Sequence, residues 1–591
     1  MADGRIFLDV RQSANGLAWT HRLDQRQENA ALAIAQSHGV PDLVARVLAG
    51  RGVGPDEAAR FLDPTIRDLL PDPRSLTGMD EAAGRIAQAV VRGERVAIFG
   101  DYDVDGAASS ALLKRYLAHF GVEAEIYIPD RIFEGYGPNE QAMGDLAGRG
   151  ARLIVTVDCG TNSAAAIAAA RQAGADVVVL DHHQVGGPLP EATPVVNPNR
   201  EDDLSGQGHL CAAGVVFVTL VRVSALLREQ GRPVPDLLAW LDLVALATVC
   251  DVVPLTGVNR AFVVKGLAAM RRMGNAGLVA LARVARIGEP LSSFHLSFLL
   301  GPRINAGGRI GDAALGSRLL ASDDPVEAGQ IAETLERLNQ ERQAMEQEML
   351  AQARAEADAE LISGKGPAVL VTASDGWHAG IVGLIAARLK EHARRPAFAI
   401  AFNANGVGSG SGRSIAGFDL GRMVRAAVDN GLLLKGGGHA MAAGLTVERS
   451  KLGQLRAFFE EWAGEEVNRL RDGEALEIDA ALSADGATFE LLDLMESAGP
   501  FGAGHTAPML ALPRHTLADA RQVGHNHIRL DLRSQTGARL QAMAFRAVDT
   551  PLGDFLFAAR GRPVHVAGSL SSNWWNGTRS VQFRVVDAAP G

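Results

Sequence analysis

Val96-Ala97-Ile98-Phe99-Gly100-Asp101-Tyr102-Asp103-Val104-Asp105-Gly106 is a short apolar run that breaks at a glycine into three aspartates and then enters an Ala-rich stretch. A continuous apolar run bounded by turn residues fits a strand covered on both faces, as in a parallel sheet. The same phrase recurs along the chain. Ile126-Tyr127-Ile128 runs into Pro129-Asp130-Arg131, Leu153-Ile154-Val155-Thr156-Val157 into Asp158-Cys159-Gly160, and Val177-Val178-Val179-Leu180 into Asp181-His182-His183. Ala-rich helical stretches separate these runs, so the rhythm predicts βαβ units and an α/β lobe with a parallel sheet.

Each predicted strand ends in an acid. In open α/β sheets the carboxyl ends of the strands form the ligand crevice, so these side chains are expected to converge. Converging carboxylates repel unless cations neutralise them, and carboxylates mixed with imidazole suit manganese or magnesium. Two ions about 3.5 to 4 Å apart, joined by one bridging aspartate, would clamp a phosphate and acidify a water. Gly100, Gly106 and Gly160 are expected to let backbone and phosphate approach closely. A lone acid such as Asp105 ahead of Gly106-Ala107-Ala108 would also serve as a helix cap. Capping does not account for four acidic strand ends and an Asp-His-His run together.

Outward from this lobe, 591 residues allow about four domains. A hydrophobic share of 47% against 21% charged residues excludes a disordered chain. The longest nearly apolar run, Leu210 to Val221, is too short to cross a bilayer, which takes roughly 20 residues. Met1-Ala2-Asp3-Gly4-Arg5 lacks the pattern of a secretory signal, and three cysteines without metal-type pairing favour a reducing compartment, so a cytoplasmic protein is expected. The net charge, 58 minus 68 or −10, disfavours indiscriminate coating of nucleic acid but leaves room for a local basic groove.

Residues 1–75 predict a helical lead-in and 76–323 the first α/β lobe. Over 324–361, Ile331, Leu335, Leu338, Met345 and Met349 lay one apolar stripe on a long helix, read better as an arm joining two lobes than as a helix inside one core. A second α/β pattern fills 362–472, and alternation such as Ile528-Arg529-Leu530-Asp531-Leu532 predicts a small antiparallel barrel over 473–591.

The ordered set Asp101-Tyr102-Asp103-Val104-Asp105-Gly106, Asp158-Cys159-Gly160-Thr161 and Asp181-His182-His183 resembles the DHH phosphoesterase superfamily. Within it the chain is similar to the RecJ family, which also carries stretches like Thr248-Val249-Cys250-Asp251-Val252-Val253-Pro254-Leu255, Gly301-Pro302-Arg303-Ile304-Asn305-Ala306-Gly307-Gly308-Arg309, Ser411-Gly412-Arg413-Ser414 and Gly436-Gly437-Gly438-His439. The resemblance covers nearly the full length. It implies a DHH domain, a DHH-associated domain and an OB-like barrel. It also implies a metal-dependent, single-strand-specific 5′→3′ DNA exonuclease that releases 5′-mononucleotides in recombination and repair.

Carried over position by position, it implies Asp101, Asp103, Asp105, Asp158, His182 and Asp251 around two Mn²⁺ or Mg²⁺ ions, with Asp158 as bridge. Asp103, Asp158, His182 and His183 would do the chemistry, His183 facing the substrate phosphate and Asp181 orienting the histidines. Pyrophosphatases of the superfamily carry a metal-binding histidine where Phe99 stands here, and Asp101 is expected to substitute. The implied partners are single-stranded DNA, a single-strand-binding protein and a RecQ-type helicase, the chain itself being a monomer free of membranes.

Substrate holding is expected of Arg131, Arg303, Asn305, Arg309, Ser411, Arg413, Gly437, Gly438 and His439. Guanidinium forks suit phosphate, and Arg303, Ser411 and Arg413 are the set expected to grip a 5′-terminal phosphate. Trp574 and Trp575, beside Arg579, are expected to stack on bases. Two other readings stand beside this one. A phosphodiesterase acting on short oligonucleotides, cyclic dinucleotides or pyrophosphate would not need the barrel. A non-catalytic scaffold, resembling the inactive subunit of eukaryotic replicative helicases, would not need intact aspartates and histidines.

Overall fold

The structure is a computed structural model that describes residues 5–130, 134–191, 193–362, 366–575 and 578–591. In the first lobe the expected apolar runs form strands at Val96–Phe99, Ala124–Tyr127, Leu153–Val157 and Asp176–Leu180, with a fifth, short strand at Val195–Val196. All pair in parallel, and Val96–Phe99 lies between Ala124–Tyr127 and Leu153–Val157. The chain therefore runs to one side after Val96–Phe99 and then crosses to the other. The resulting crevice opens between the ends of Val96–Phe99 and Leu153–Val157, the strands that deliver Asp101 and Asp158. Val104–His119 and Ala212–Glu229 cover one face of the sheet and Glu140–Gly148 and Ala164–Gln172 the other, which explains why Val96–Phe99 and Leu153–Val157 are buried throughout.

The long helix spans Pro325–Ile362 and joins two cores. Ile331, Leu335 and Leu338 pack into the first lobe, while Met349, Ala353 and Ala357 pack against the second. Met345 departs from the expected stripe and is exposed. At that level the inward face is polar instead. Asn339, Arg342 and Glu346 are buried, Arg342 bonds both of the others, and Arg388 reaches Glu346 at 3.2 Å.

The second lobe is a five-stranded sheet ordered Lys435–Gly438, Ala442–Glu448, Val407–Arg413, Ala397–Phe402, Leu370–Ser374. Only its last pair is parallel. Its core includes Phe398 stacked on Phe459 at 5.1 Å. The tail closes as a five-stranded barrel, because Leu510–Val523 pairs with both His527–Arg533 and Pro563–Trp575. Arg539–Ala544 and Thr578–Pro590 complete the circuit.

The amino-terminal segment is not purely helical. Besides the helices Gln25–His38, Asp42–Ala49 and Pro55–Leu62 it contributes a strand, Ala18–His21, that pairs in parallel with Ala475–Ile478. A four-residue strand has too little alternation to show in sequence. Its Trp19 is fully buried against Ala511, Ala567 and Ala589 of the barrel.

Candidate metal centre

The first aspartate loop is set by local chemistry. Asp103 is the N-cap of the helix Val104–His119, accepting from the N–H groups of Asp105 and Gly106 at 2.9 and 3.1 Å. Asp105, the residue expected to be a cap if it had no other role, caps a different helix. Its carboxylate accepts from Ala212 N at 2.6 Å and Ala213 N at 2.8 Å, at the start of Ala212–Glu229. The positive end of that helix helps hold a buried carboxylate at the crevice floor.

Asp158 sits in the left-handed region, with φ of 61°, where Asp is one of the few tolerated side chains. The glycines do other work than expected. A Cβ on Gly106 would lie 2.4 Å from Asp101 O, and one on Gly160 2.4 Å from Thr156 Oγ1. They let the acidic loops fold tightly on themselves rather than on a phosphate.

The acids and imidazoles come together in three overlapping groups: Asp101, Asp103 and Asp158; Asp105, His182 and Asp251; and Asp158, His182 and His183. Within each group the possible ligand atoms lie within 4.8 Å of one another. Asp158 and His182 each belong to two groups. His182 Nδ1 faces Leu210 O at 3.1 Å, which makes it the donor nitrogen. Nε2 then turns a lone pair toward Asp158 at 3.2 Å, Asp105 at 3.6 Å and Asp251 at 3.8 Å. Asp158 Oδ1 is buried without a hydrogen-bond partner. Lone pairs facing lone pairs in a buried crevice fit a divalent cation, and carboxylate oxygens with imidazole suit Mn²⁺ or Mg²⁺.

Electrostatics show the same crowding. Burial first, then repulsion from Asp105, Asp103, Asp101 and Asp251, pushes the Asp158 carboxyl well above its usual range. Burial followed by Asp105 and Asp103 raises Asp251 to about 9. Asp105 is raised by burial. Asp181 differs. Burial would raise it, but bonds from His183 and Thr161 hold it below the carboxylate range. Its Oδ1 lies 2.8 Å from His183 Nδ1 and accepts from His182 N at 2.8 Å. Burial lowers His183, yet the bond and charge of Asp181 reverse this and raise it to about 9.

Sequence reasoning missed three side chains here. Tyr136 donates to Asp158 O at 3.2 Å and meets His183 Nε2 at 3.0 Å. Asn197 donates to His183 O at 2.8 Å, and Asn199 to His182 O at 2.5 Å. Tyr136 stands in Glu134-Gly135-Tyr136-Gly137, a stretch that itself resembles the family, and Asn197-Pro198-Asn199 is a visible turn pattern, but neither shows from sequence that it touches the histidines. Of the expected strand-end acids, Asp130 is outside the three groups. Phe99 is fully buried and packs on Tyr127.

Among the described residues, those expected to hold substrate are divided between the lobes, Arg303, Asn305 and Arg309 on the helix Gly301–Ile310 and Ser411 and Arg413 on the strand Val407–Arg413. His439 sits at the exposed tip between Lys435–Gly438 and Ala442–Glu448, where burial and then the charges of His183 and Arg425 lower its pKa. Gly437 has open space where a side chain would be, whereas a Cβ on Gly438 would strike Ala442 O. Arg413 bonds Ser411 Oγ at 2.9 Å, and both border Gly383. Arg309 donates to Gly380 O at 3.0 Å, linking the lobes. Arg303 pairs with Glu336 at 2.5 Å, and Asn305 keeps a buried Oδ1 without a partner. Arg131 lies outside the described residues, as do the side chains of Trp574 and Trp575, whose backbone ends the strand Pro563–Trp575. Arg579 pairs with Asp493 at 2.6 Å.

Residues 95–248 match the DHH family, N-terminal domain; 366–465 match the DHHA1 domain; and 478–587 match the RecJ OB domain. The single-stranded-DNA-specific exonuclease RecJ of Salmonella typhimurium is 36% identical over 571 residues, 93% of this chain and 96% of that protein. The chain belongs to the RecJ family. RecJ of Escherichia coli is likewise 36% identical over 567 residues, 93% of this chain and 96% of that protein. The crystal structure of Thermus thermophilus RecJ in complex with Mn²⁺ superimposes with a TM-score of 0.77 at 29% identity, covering 96% of this chain and 78% of that one. The Mg²⁺ complex of the same RecJ gives a TM-score of 0.71 at 28% identity, covering 97% and 78%. Among the described residues no helix is long and apolar enough to cross a membrane.

Proposed function

We propose that this chain is a cytoplasmic, metal-dependent exonuclease that hydrolyses single-stranded DNA from the 5′ end. The observation that carries the reading is the crevice in which His182 Nε2 faces the carboxylates of Asp158, Asp105 and Asp251, with Asp158 Oδ1 buried and lacking a hydrogen-bond donor. Membership of the RecJ family supplies the substrate class, and three free cysteines accord with a reducing compartment.

In this reading Asp101, Asp103 and Asp158 hold one ion and Asp105, Asp158, His182 and Asp251 the other. Bound there, two divalent ions would neutralise charge on the phosphate and lower the pKa of a water. The protein's own contribution is orientation. The Leu210 carbonyl fixes the tautomer of His182, and Asp181 fixes the ring of His183. A protonated His183 donates to a phosphate oxygen of the scissile group. Arg303, Ser411 and Arg413 hold the 5′-terminal phosphate, and Arg131, Asn305 and Arg309 bind the strand. Gly437, Gly438 and His439 bring the second lobe onto the nucleotide being released. Trp574 and Trp575 stack on the incoming strand.

The test is a digestion series with 5′- and 3′-labelled single and double strands, with and without manganese. Manganese-dependent release of 5′-mononucleotides from single strands alone is expected, and Asp158→Ala should abolish it. Undiminished turnover in that variant would remove the crevice from the mechanism.

A further inference from the structure

Two phenylalanine rings of the first lobe are left unused by its core. Phe298 is 64% exposed and Phe294 48%, and among the described residues no phenylalanine is more exposed. They stack on each other, with centroids 5.1 Å and planes 30° apart. A single exposed apolar side chain is ordinary; two rings held together in solvent form a patch.

The rings flank Leu296, whose carbonyl accepts from Cys250 Sγ at 3.3 Å. Cys250 precedes Asp251 of the crevice, and the next residue, Val252, is 65% exposed with φ of 60°. A β-branched residue in the left-handed region is strained, and such strain gathers at functional sites. After Phe294 the chain makes a π turn, Leu296–Leu300, and enters the helix Gly301–Ile310 that carries Arg303 and Asn305. Pro302 has no N–H to return to the Phe298 carbonyl, and Arg303 Nη1 covers the Leu299 carbonyl at 2.7 Å. On the other side, Ser293 Oγ donates to Phe501 O at 3.1 Å, in the segment entering the barrel. The ring pair thus lies between the crevice and the start of the barrel.

We propose that Phe294 and Phe298 form a shelf on which a base of the single strand stacks, positioning the strand as it enters the crevice. The inference rests on the exonuclease reading above. Cys250, which precedes Asp251, bonds the Leu296 carbonyl between the two rings, and Arg303 reaches the Leu299 carbonyl next to Phe298, so a strand held by the crevice and by Arg303 has the rings within reach of its bases. Phenylalanine has no polar edge and grips any base by its face, which suits an enzyme that must accept every sequence. Because the rings already rest on each other, little side-chain freedom is lost when a base arrives.

The test uses the full-length protein and a 5′-phosphorylated single-stranded DNA oligonucleotide. Affinity is measured by fluorescence anisotropy in chelator, and turnover in manganese. Phe294→Ala combined with Phe298→Ala should weaken binding about tenfold or more, with the loss of turnover appearing in KM rather than kcat. Phe298→Trp should retain affinity, and Phe298→Leu should not, since a merely apolar contact would accept leucine.

Oligonucleotides with one abasic position supply a second reading on the wild-type protein. One position should cost wild type as much as the double substitution does, and cost the double variant nothing further. Wild-type affinity in the double variant, equal affinity with leucine, or the lack of such a position would overturn the shelf and leave the rings to a protein partner. If the wild-type protein neither binds nor degrades single strands, the exonuclease reading falls with it. Degradation by wild type with unchanged variant affinity overturns the shelf alone.

Discussion

The indole nitrogen of Trp19 donates to Asp587 Oδ2 at 3.0 Å, across 568 residues of chain. Both side chains are fully buried, and Asp587 also accepts from Ala588 N at 2.9 Å. The amino-terminal strand and the barrel thus share one core and one buried hydrogen bond. Trp19→Phe should keep most of the packing but leave a buried carboxylate short of a donor, costing about 1–3 kcal/mol. Thermal melting with probes in both segments should show them losing stability together. Removal of the barrel would expose Trp19, so DNA binding is better tested by point substitution.

Asp158→Asn keeps a residue that tolerates the left-handed backbone while removing the charge that its neighbours repel. In chelator the variant should melt higher than wild type, by about 2–4 °C for each kcal/mol of repulsion relieved. In manganese at a hundred times its dissociation constant, wild type should gain about 2.7 kcal/mol and the variant far less. Turnover should fall by more than the roughly 100-fold that outer ligand contacts produce. Calorimetry with and without metal, beside the nuclease assay, reads all three.

Asp242 is buried in the helix Leu241–Cys250, and burial pushes its carboxyl up to about 6. The folded state therefore holds this proton more tightly than the unfolded chain does. Stability is lost as pH rises from about 4 to about 6 and stays lost above that. Asp242→Asn should raise stability at pH 8 by up to about 3 kcal/mol and change little at pH 4. Denaturant titrations at the two pH values check the sign.

Arg260 is 1% exposed and donates to the carbonyls of Phe61, Ala498 and Gly499 at 2.7, 3.0 and 2.5 Å. It also lies over the Phe61 ring at 3.9 Å, and burial lowers its guanidinium to about 10. Arg260→Met should strand several buried carbonyls and cost about 3 kcal/mol or more. Hydrogen exchange should quicken first around residues 55–62 and 489–505, which this one side chain ties to the first lobe.

Much of this architecture was legible because buried parallel strands leave a strong mark. Val96–Phe99 and Leu153–Val157 appear as strands where the apolar runs stood, and the acids behind them converge. What was not legible depended on distant partners. Asp105 looks like a local cap, yet its partners Ala212 and Ala213 are more than a hundred residues away. Gly106 and Gly160 looked like openings for phosphate, but the space beside them is taken by Asp101 and Thr156. Met345 continued an apolar stripe whose inward face is claimed there by Asn339, Arg342 and Glu346.

That buried polar cluster has a bearing on aim. At 1.5 Å per residue the helix Pro325–Ile362 is about 57 Å long, and each residue advances it by about 100° of rotation. A purely greasy seam could rotate or slide by a fraction of a turn at modest cost. Arg388 of the second lobe reaching Glu346, and Arg303 of the first lobe reaching Glu336, favour one azimuth. The helix therefore works as a keyed axle, and the key lets a hairpin tip on one lobe find the histidines of the other.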